Sequence, residues 1–301
     1  MSRIHRFAII ITAAALLLIV SGGCSLKKMV INSTGLFMDD VVDEFLAESD
    51  LEFARQAGPA NLKLLDGLIK GSNYENDGLL IKGCKLYGMY AMAFFEDDGQ
   101  DKKTEKTNMK RASNFYKRAM DYGMKVMLKN PDFKAAADGS LDDFVKVMPA
   151  FGKSDIDALF WTAFAWGSYI NLNRNSAAEV ADLPKVIAMI NRVIELDTGY
   201  FYGIPHLFLI VSYSMPAMFG GDLEKAKAEY QKIKDISGAK FIIADFFMAK
   251  FYAVQTQNKE LFEQLLKGIQ SADDNLIPER IFTQVAKKKA EFFLLKENDI
   301  F

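Results

Sequence analysis

The 301-residue chain is half apolar and one quarter charged, with a formal net charge of −2. That suits a folded chain with a large core and excludes the basic balance of a nucleic-acid binder, so no nucleic-acid partner is expected. Two cysteines and two histidines exclude a disulfide framework, a CxxC redox pair, a Cys/His zinc site and any multi-histidine metal site.

Arg3 and Arg6 precede an apolar run, Phe7 to Val20, which is followed by Ser21-Gly22-Gly23-Cys24. A membrane-spanning helix needs about 20 apolar residues; this shorter run, with small residues behind it, reads as a signal peptide over residues 1–23. Cys24 then falls where a bacterial lipobox places the cysteine that receives diacylglycerol. Ser21 stands where a large aliphatic residue is usual. Residues 24–35 are read as the anchor segment and residues 36–301 as the folded domain. Cleavage takes away two arginines and no acid, leaving a net of −4. Ser25, not Asp, follows the cysteine, which favours the outer over the inner membrane for the anchor. The body is expected to face the periplasm.

From residue 37 onward apolar residues recur at i, i+3, i+4 and i+7, the period of amphipathic helices, and Pro59, Pro131, Pro184, Pro205 and Pro278 fall near expected helix ends. A first pair is predicted over Phe37 to Ala57 and Pro59 to Ile69. Four imperfect tetratricopeptide-like copies follow. The first joins Tyr87-Gly88-x-x-Ala91 to Ala112-x3-Tyr116-x2-Ala119 across a polar insert, roughly Glu96 to Asn108. The second joins Trp161-x-x-Phe164-Ala165-x-x-Ser168 to Val186-x3-Ile190-x2-Val193, with Thr198 where proline is usual. In the third, Tyr213 closes one helix, Gly220-Gly221-Asp222 turns the chain, with Asp222 as N-cap, and Ala226-x3-Tyr230-x2-Ile233 forms the next. The fourth pairs Ala249-x-x-Tyr252 with Leu261-x3-Leu265-x2-Gly268, and Pro278 to Leu295 reads as a terminal cap. The fold class is therefore all-α, a solenoid of stacked helix pairs whose concave side commonly binds peptides, proteins or elongated ligands.

Chemistry is sparse. No GxGxxG, P-loop, HExxH or EF-hand spacing occurs, so no cofactor, no metal and no enzymatic activity are expected. His206 is the only histidine of the body; it reads either as a structural histidine or as a polar group in a channel, and a hydrolase with His206 as base lacks a local nucleophile motif. Asp97-Asp98 and Asp142-Asp143 read as solvated turn or cap residues, and Cys84 as a packing thiol. The aromatic cluster Phe160, Trp161, Phe164, Trp166 and Tyr169 is dense. Trp161 and Trp166 diverge by about 140° around a helix, so either both lie in the core or one faces a groove. Trp161, Phe164, Trp166 and His206 are the candidate ligand or channel residues.

Several blocks, in order, resemble the T component associated with TRAP transporters (the TatT family). They are Gly23-Cys24-Ser25-Leu26-Lys27-Lys28-Met29-Val30, Pro59-Ala60-Asn61-Leu62-Lys63-Leu64-Leu65-Asp66-Gly67-Leu68, Tyr90-Ala91-Met92-Ala93-Phe94, Arg111-Ala112-x3-Tyr116-x-Arg118-Ala119, Trp161-x4-Trp166-Gly167, Val193-x-Glu195-Leu196-Asp197 and Gly220-Gly221-Asp222-Leu223-Glu224-Lys225-Ala226. The resemblance implies a periplasmic lipoprotein, anchored through Cys24, that forms a homotrimer. It also implies docking to the substrate-binding P component of a tripartite ATP-independent periplasmic transporter. A passage through each protomer for an apolar or organic-acid ligand is implied as well. It transfers no catalytic residue. A generic tetratricopeptide scaffold lipoprotein in envelope assembly is the alternative reading.

Overall fold

A computed structural model describes residues 37–98 and 101–301. The expected signal peptide, the expected anchor segment at residues 24–35 and Cys24 lie outside the described residues. Residues 37–47 are helical (α1). Then come α2 (Leu51–Gly71), α3 (Asp77–Phe94), α4 (Lys102–Met127), α5 (Pro131–Ala137), α6 (Leu141–Val147), α7 (Ile156–Leu172) and α8 (Ala177–Val180). They are followed by α9 (Leu183–Leu196), α10 (Tyr200–Tyr213), α11 (Leu223–Ser237), α12 (Ile243–Phe247), α13 (Lys259–Ser271), α14 (Arg280–Leu295) and α15 (Glu297–Ile300). A π-helical turn, Met248–Ala253, continues α12. No strand occurs among the described residues.

Local chemistry sets the helix starts. Asp50, Asn76, Asp101, Asn130, Ser140, Asp222 and Asn258 each turn a side-chain oxygen onto a free N–H of the first turn, satisfying donors that have no partner within the helix. Asp142 and Asp143 lie in the first turn of α6, where carboxylates complement the helix dipole.

Two boundaries differ from those predicted. The first break falls at residues 48–50, and Pro59 sits inside α2. A proline there frees the carbonyl four residues back. That group is Arg55, and its oxygen accepts from the Tyr90 hydroxyl of α3 at 2.8 Å, so the tertiary contact supplies the missing donor. The polar insert is the second. Its latter half is the start of α4, which Asp101 caps through Lys103 and Thr104.

The helices stack as an α-solenoid of pairs. α3 packs on α4, α7 on α9, α10 on α11, and α12 with its π turn on α13. α3, α7, α10 and α12 are the first members of successive pairs and bring their inner faces together. Close approach depends on small residues. A Cβ on Gly123 of α4 would sit 2.2 Å from Thr162 Oγ1 of α7, so nothing larger than hydrogen fits where those helices cross. α14 caps the stack against α12 and α13 and returns to α2. Arg280 donates to the Ala47 carbonyl at 2.7 Å, and Lys289 to the Glu96 carbonyl at 2.6 Å. The last helix thus reaches back to the first ones, and the concave side becomes an enclosed cleft.

Candidate functional site: an apolar cleft inside the solenoid

The first helix of each pair presents one stripe at helical spacing to this cleft: Met89 and Met92 from α3, with Glu96 in the turn after it; Phe160, Trp161, Phe164, Gly167, Ser168 and Asn171 from α7; Ile204, Leu207, Phe208 and Val211 from α10; Ile243, Phe247 and Phe251 from α12 and its π turn. Tyr116 of α4 and Phe282 of α14 close the sides. The room it leaves for water-sized groups is about 60 Å³, within a space of about 750 Å³ that also counts open solvent. Trp161 and Asn171 are ten residues apart on α7, so the cleft is about 15 Å long at ~1.5 Å per residue.

Gly167 fixes its width. A Cβ there would lie 2.2 Å from the Phe208 ring, so α7 and α10 meet through a glycine and an aromatic face.

One end is aromatic and strained. Phe201, Tyr202 and Gly203 take φ of 44°, 60° and 79°, a left-handed turn that costs of order 1–3 kcal/mol per residue for side-chain-bearing positions. It sets the Phe201 ring 6.5 Å from the Trp161 ring and 5.4 Å from Phe282. Regular helix resumes behind it, so Pro205 stands at a helix start in physical terms. The Lys85 ammonium lies 5.3 Å from the Trp161 ring centre and 5.6 Å from that of Phe201, a cation–π arrangement. Burial lowers the Lys85 pKa, with Asp157 and Asp43 pulling against it. Behind Trp161 lies a second cavity, lined by Asp39, Asp43, Asp77, Asp155 and Asp157 with Lys82 and Lys85.

The opposite end is polar and internally compensated. Glu96 accepts from the Tyr116 hydroxyl at 2.7 Å and from Lys250 at 3.2 Å. Asp97 accepts from Lys250 at 2.5 Å and lies 3.9 Å from Lys289. Burial opposes the charge on Asp97, yet Lys250 and Lys289 hold its carboxyl below the usual carboxylate range. Burial likewise lowers Lys289, against the pull of Asp97 and Glu96. Asp97 is thus a turn residue, as expected from sequence, but a half-buried ionic partner and not a solvated one. Asp98 pairs with Arg55 at 2.9 Å.

Of the four candidates on α7 and α10, Trp161 and Phe164 line the cleft. Trp166 is buried on another face of α7, edge-on to Phe144 at 6.5 Å. His206 is buried outside the lining. Its Nε2 lies 2.9 Å from Thr198 Oγ1 and its Nδ1 2.5 Å from Glu229 Oε2. Thr198, which replaces the usual proline, therefore orients the ring. Burial works against the Glu229 charge, but the bonds from His206 and Lys232 hold that carboxyl below its usual value. Cys84 is buried and unpaired, and burial pushes its thiol pKa up.

Sequence reading did not single out Glu96, Lys250 or Lys289 as site residues. Lys250 and Lys289 stand 154 and 193 residues from Glu96 in sequence, and no local pattern joins them.

The cleft offers apolar walls and partnered polar groups. No group of three metal-ligating side chains occurs among the described residues. No helix among them is long and apolar enough to cross a membrane.

A family model described as TRAP transporter T-component matches residues 47–301. No curated protein matches the chain.

Proposed function

Since the chain belongs to the TRAP transporter T-component family, we propose that it is a non-enzymatic accessory lipoprotein of a tripartite ATP-independent periplasmic transport system. In this reading it is exported, held to a membrane by lipid on Cys24, and assembled as a homotrimer. It docks the substrate-binding P component and hands on a ligand with a large apolar part. The outer membrane is the favoured site of the anchor.

The observation that supports the ligand role is the cleft. Its walls are almost wholly apolar, and removing a ligand's methylenes from water contributes roughly 0.8 kcal/mol each. The cleft polar groups are held by one another, so they add orientation and carry out no bond-making step. Trp161 and Phe164 are wall residues of the bound ligand. Trp166 supports α7 from behind, and His206 steadies the joint between α10 and α11.

Two measurements test this. The chain from residue 25 onward should retain the P component of its transport system at micromolar concentration; loss of retention overturns the docking role. The apolar dye N-phenylnaphthylamine should gain fluorescence on binding, and Phe164→Asp should abolish that gain. Equal fluorescence in the variant overturns the cleft as the ligand site.

A further inference from the structure

The cleft is smaller than a ligand with a large apolar part. Its room for water-sized groups is about 60 Å³, whereas an apolar cavity of about 150 Å³ is what holds one benzene ring. Entry of such a ligand therefore needs a wall to move.

The walls are not all held in the same way. α12, its π turn, α13 and α14 form one apolar unit: the Phe293 ring of α14 lies 5.3 Å from Phe246 and 6.5 Å from Phe262. Toward the first helices the same unit is held by charge. Lys250 lies 3.2 Å from Glu96 and 2.5 Å from Asp97. Lys288 lies 3.4 Å from Asp98, and Lys296 lies 2.6 Å from Glu105. Lys289 donates to the Glu96 carbonyl and Arg280 to that of Ala47. Among the described residues, every ion pair across this seam has its base on the last unit and its acid in the turn after α3 or at the start of α4.

Parting an apolar seam exposes its whole area to water. Parting an ionic seam lets water replace the lost partners, and the desolvation cost of closing it offsets much of the attraction. Such a seam shuts and reopens at small net free energy. The parts it holds are also cleft wall. Phe247 and Phe251 of α12 and its π turn, and Phe282 of α14, line the cleft, and Lys250 is the neighbour of Phe251 on that turn. Displacing this unit from the end of α3 widens the cleft directly.

We propose that the seam is an ionic clasp. The unit of α12, its π turn, α13 and α14 swings away from the end of α3 to admit the ligand. The pairs of Lys250, Lys288 and Lys289 with Glu96, Asp97 and Asp98 then re-form and hold it. The inference rests on the cleft being the ligand site and adds to it the way in.

Stopped-flow uptake of N-phenylnaphthylamine by the full-length protein tests it. In the double variant Asp98→Cys/Lys288→Cys a short bismaleimide bridges the seam, while Cys84 is buried away from the reagent. Before bridging, uptake should be about two- to threefold faster than in the parent, the weight of losing partly exposed ion pairs. After bridging it should fall by about tenfold or more, and the parent treated with the same reagent should be unchanged. Uptake by the bridged protein at the parent's rate overturns the clasp and leaves the cleft standing as the ligand site. A parent that takes up no dye overturns the cleft itself.

Discussion

Trp161 and Trp166 are five residues apart on α7, and both are buried, at 1% and 6% exposure. Their surroundings have opposite character. Trp166 is enclosed by packing, edge-on to Phe144. Trp161 borders the cleft on one side and the Lys85 ammonium on another, and its indole N–H has no hydrogen-bond partner of normal geometry, although it influences the nearby Tyr200 hydroxyl. Burial alone therefore does not separate a core aromatic from a binding-site aromatic. The difference lies in whether neighbouring helices fill the space the ring faces, and in whether its polar atom is satisfied. His206 makes the same point from the satisfied side, with both ring nitrogens partnered.

Truncating the two rings separates these environments most strongly. Trp166→Ala leaves a cavity among packed side chains and is expected to cost about 3–5 kcal/mol in urea unfolding. Trp161→Ala is expected to cost clearly less, about 2 kcal/mol, because the ring already faces open space; it should also enlarge the cleft and change N-phenylnaphthylamine uptake. Equal destabilisation by the two substitutions would break the contrast.

Gly167→Ala tests the shared wall. The new methyl meets the Phe208 ring at 2.2 Å, so Phe208 has to move into the cleft. A destabilisation of about 1–3 kcal/mol is expected, together with weaker dye binding, whereas Gly123→Ala, crowding Thr162 on the α4 side, should destabilise without altering the dye affinity of the folded fraction.

The satisfied polar site predicts a pH signature. Glu229→Gln is expected to cost about 1 kcal/mol at pH 7, a modest figure because Lys232 shares the bond from the solvent side. The folded pKa of Glu229 lies below its ordinary 4.5. Its contribution is therefore complete above that value and is lost as pH falls through the folded pKa. Urea titrations should show parent and variant converging in acid. A gap that stays constant with pH would remove the charged pair from the account.

Trp161→Phe should have the smallest effect. It deletes an N–H that makes no normal hydrogen bond, so less than about 1 kcal/mol is expected beyond the lost ring area. A larger loss would show that the indole nitrogen is held in the folded protein.

Helix pairing was legible in the chain because it is local. A period near 3.6, N-capping residues before apolar runs, and small residues at crossing points sit within a few residues of one another, as Asp222 ahead of α11 shows. The α7 stripe containing Trp161 and Phe164 was legible on the same grounds. The run of α2 through Pro59 was not, because the donor that replaces the lost hydrogen bond is Tyr90, on the next helix. Asp97 looked like a surface residue for a similar reason: its partners lie on the π turn and on α14.

Sequence by itself determined an all-α solenoid, the capped starts of several of its helices, and a scarcity of catalytic groups, since each follows from spacing and composition. Tertiary structure decided which face of α7 looks into open space, how α14 closes the stack onto the first helices, and which charges are compensated at each end of the cleft. Those outcomes depend on contacts between residues about 50 to 230 positions apart, where a side chain's role is set by what another helix brings to it.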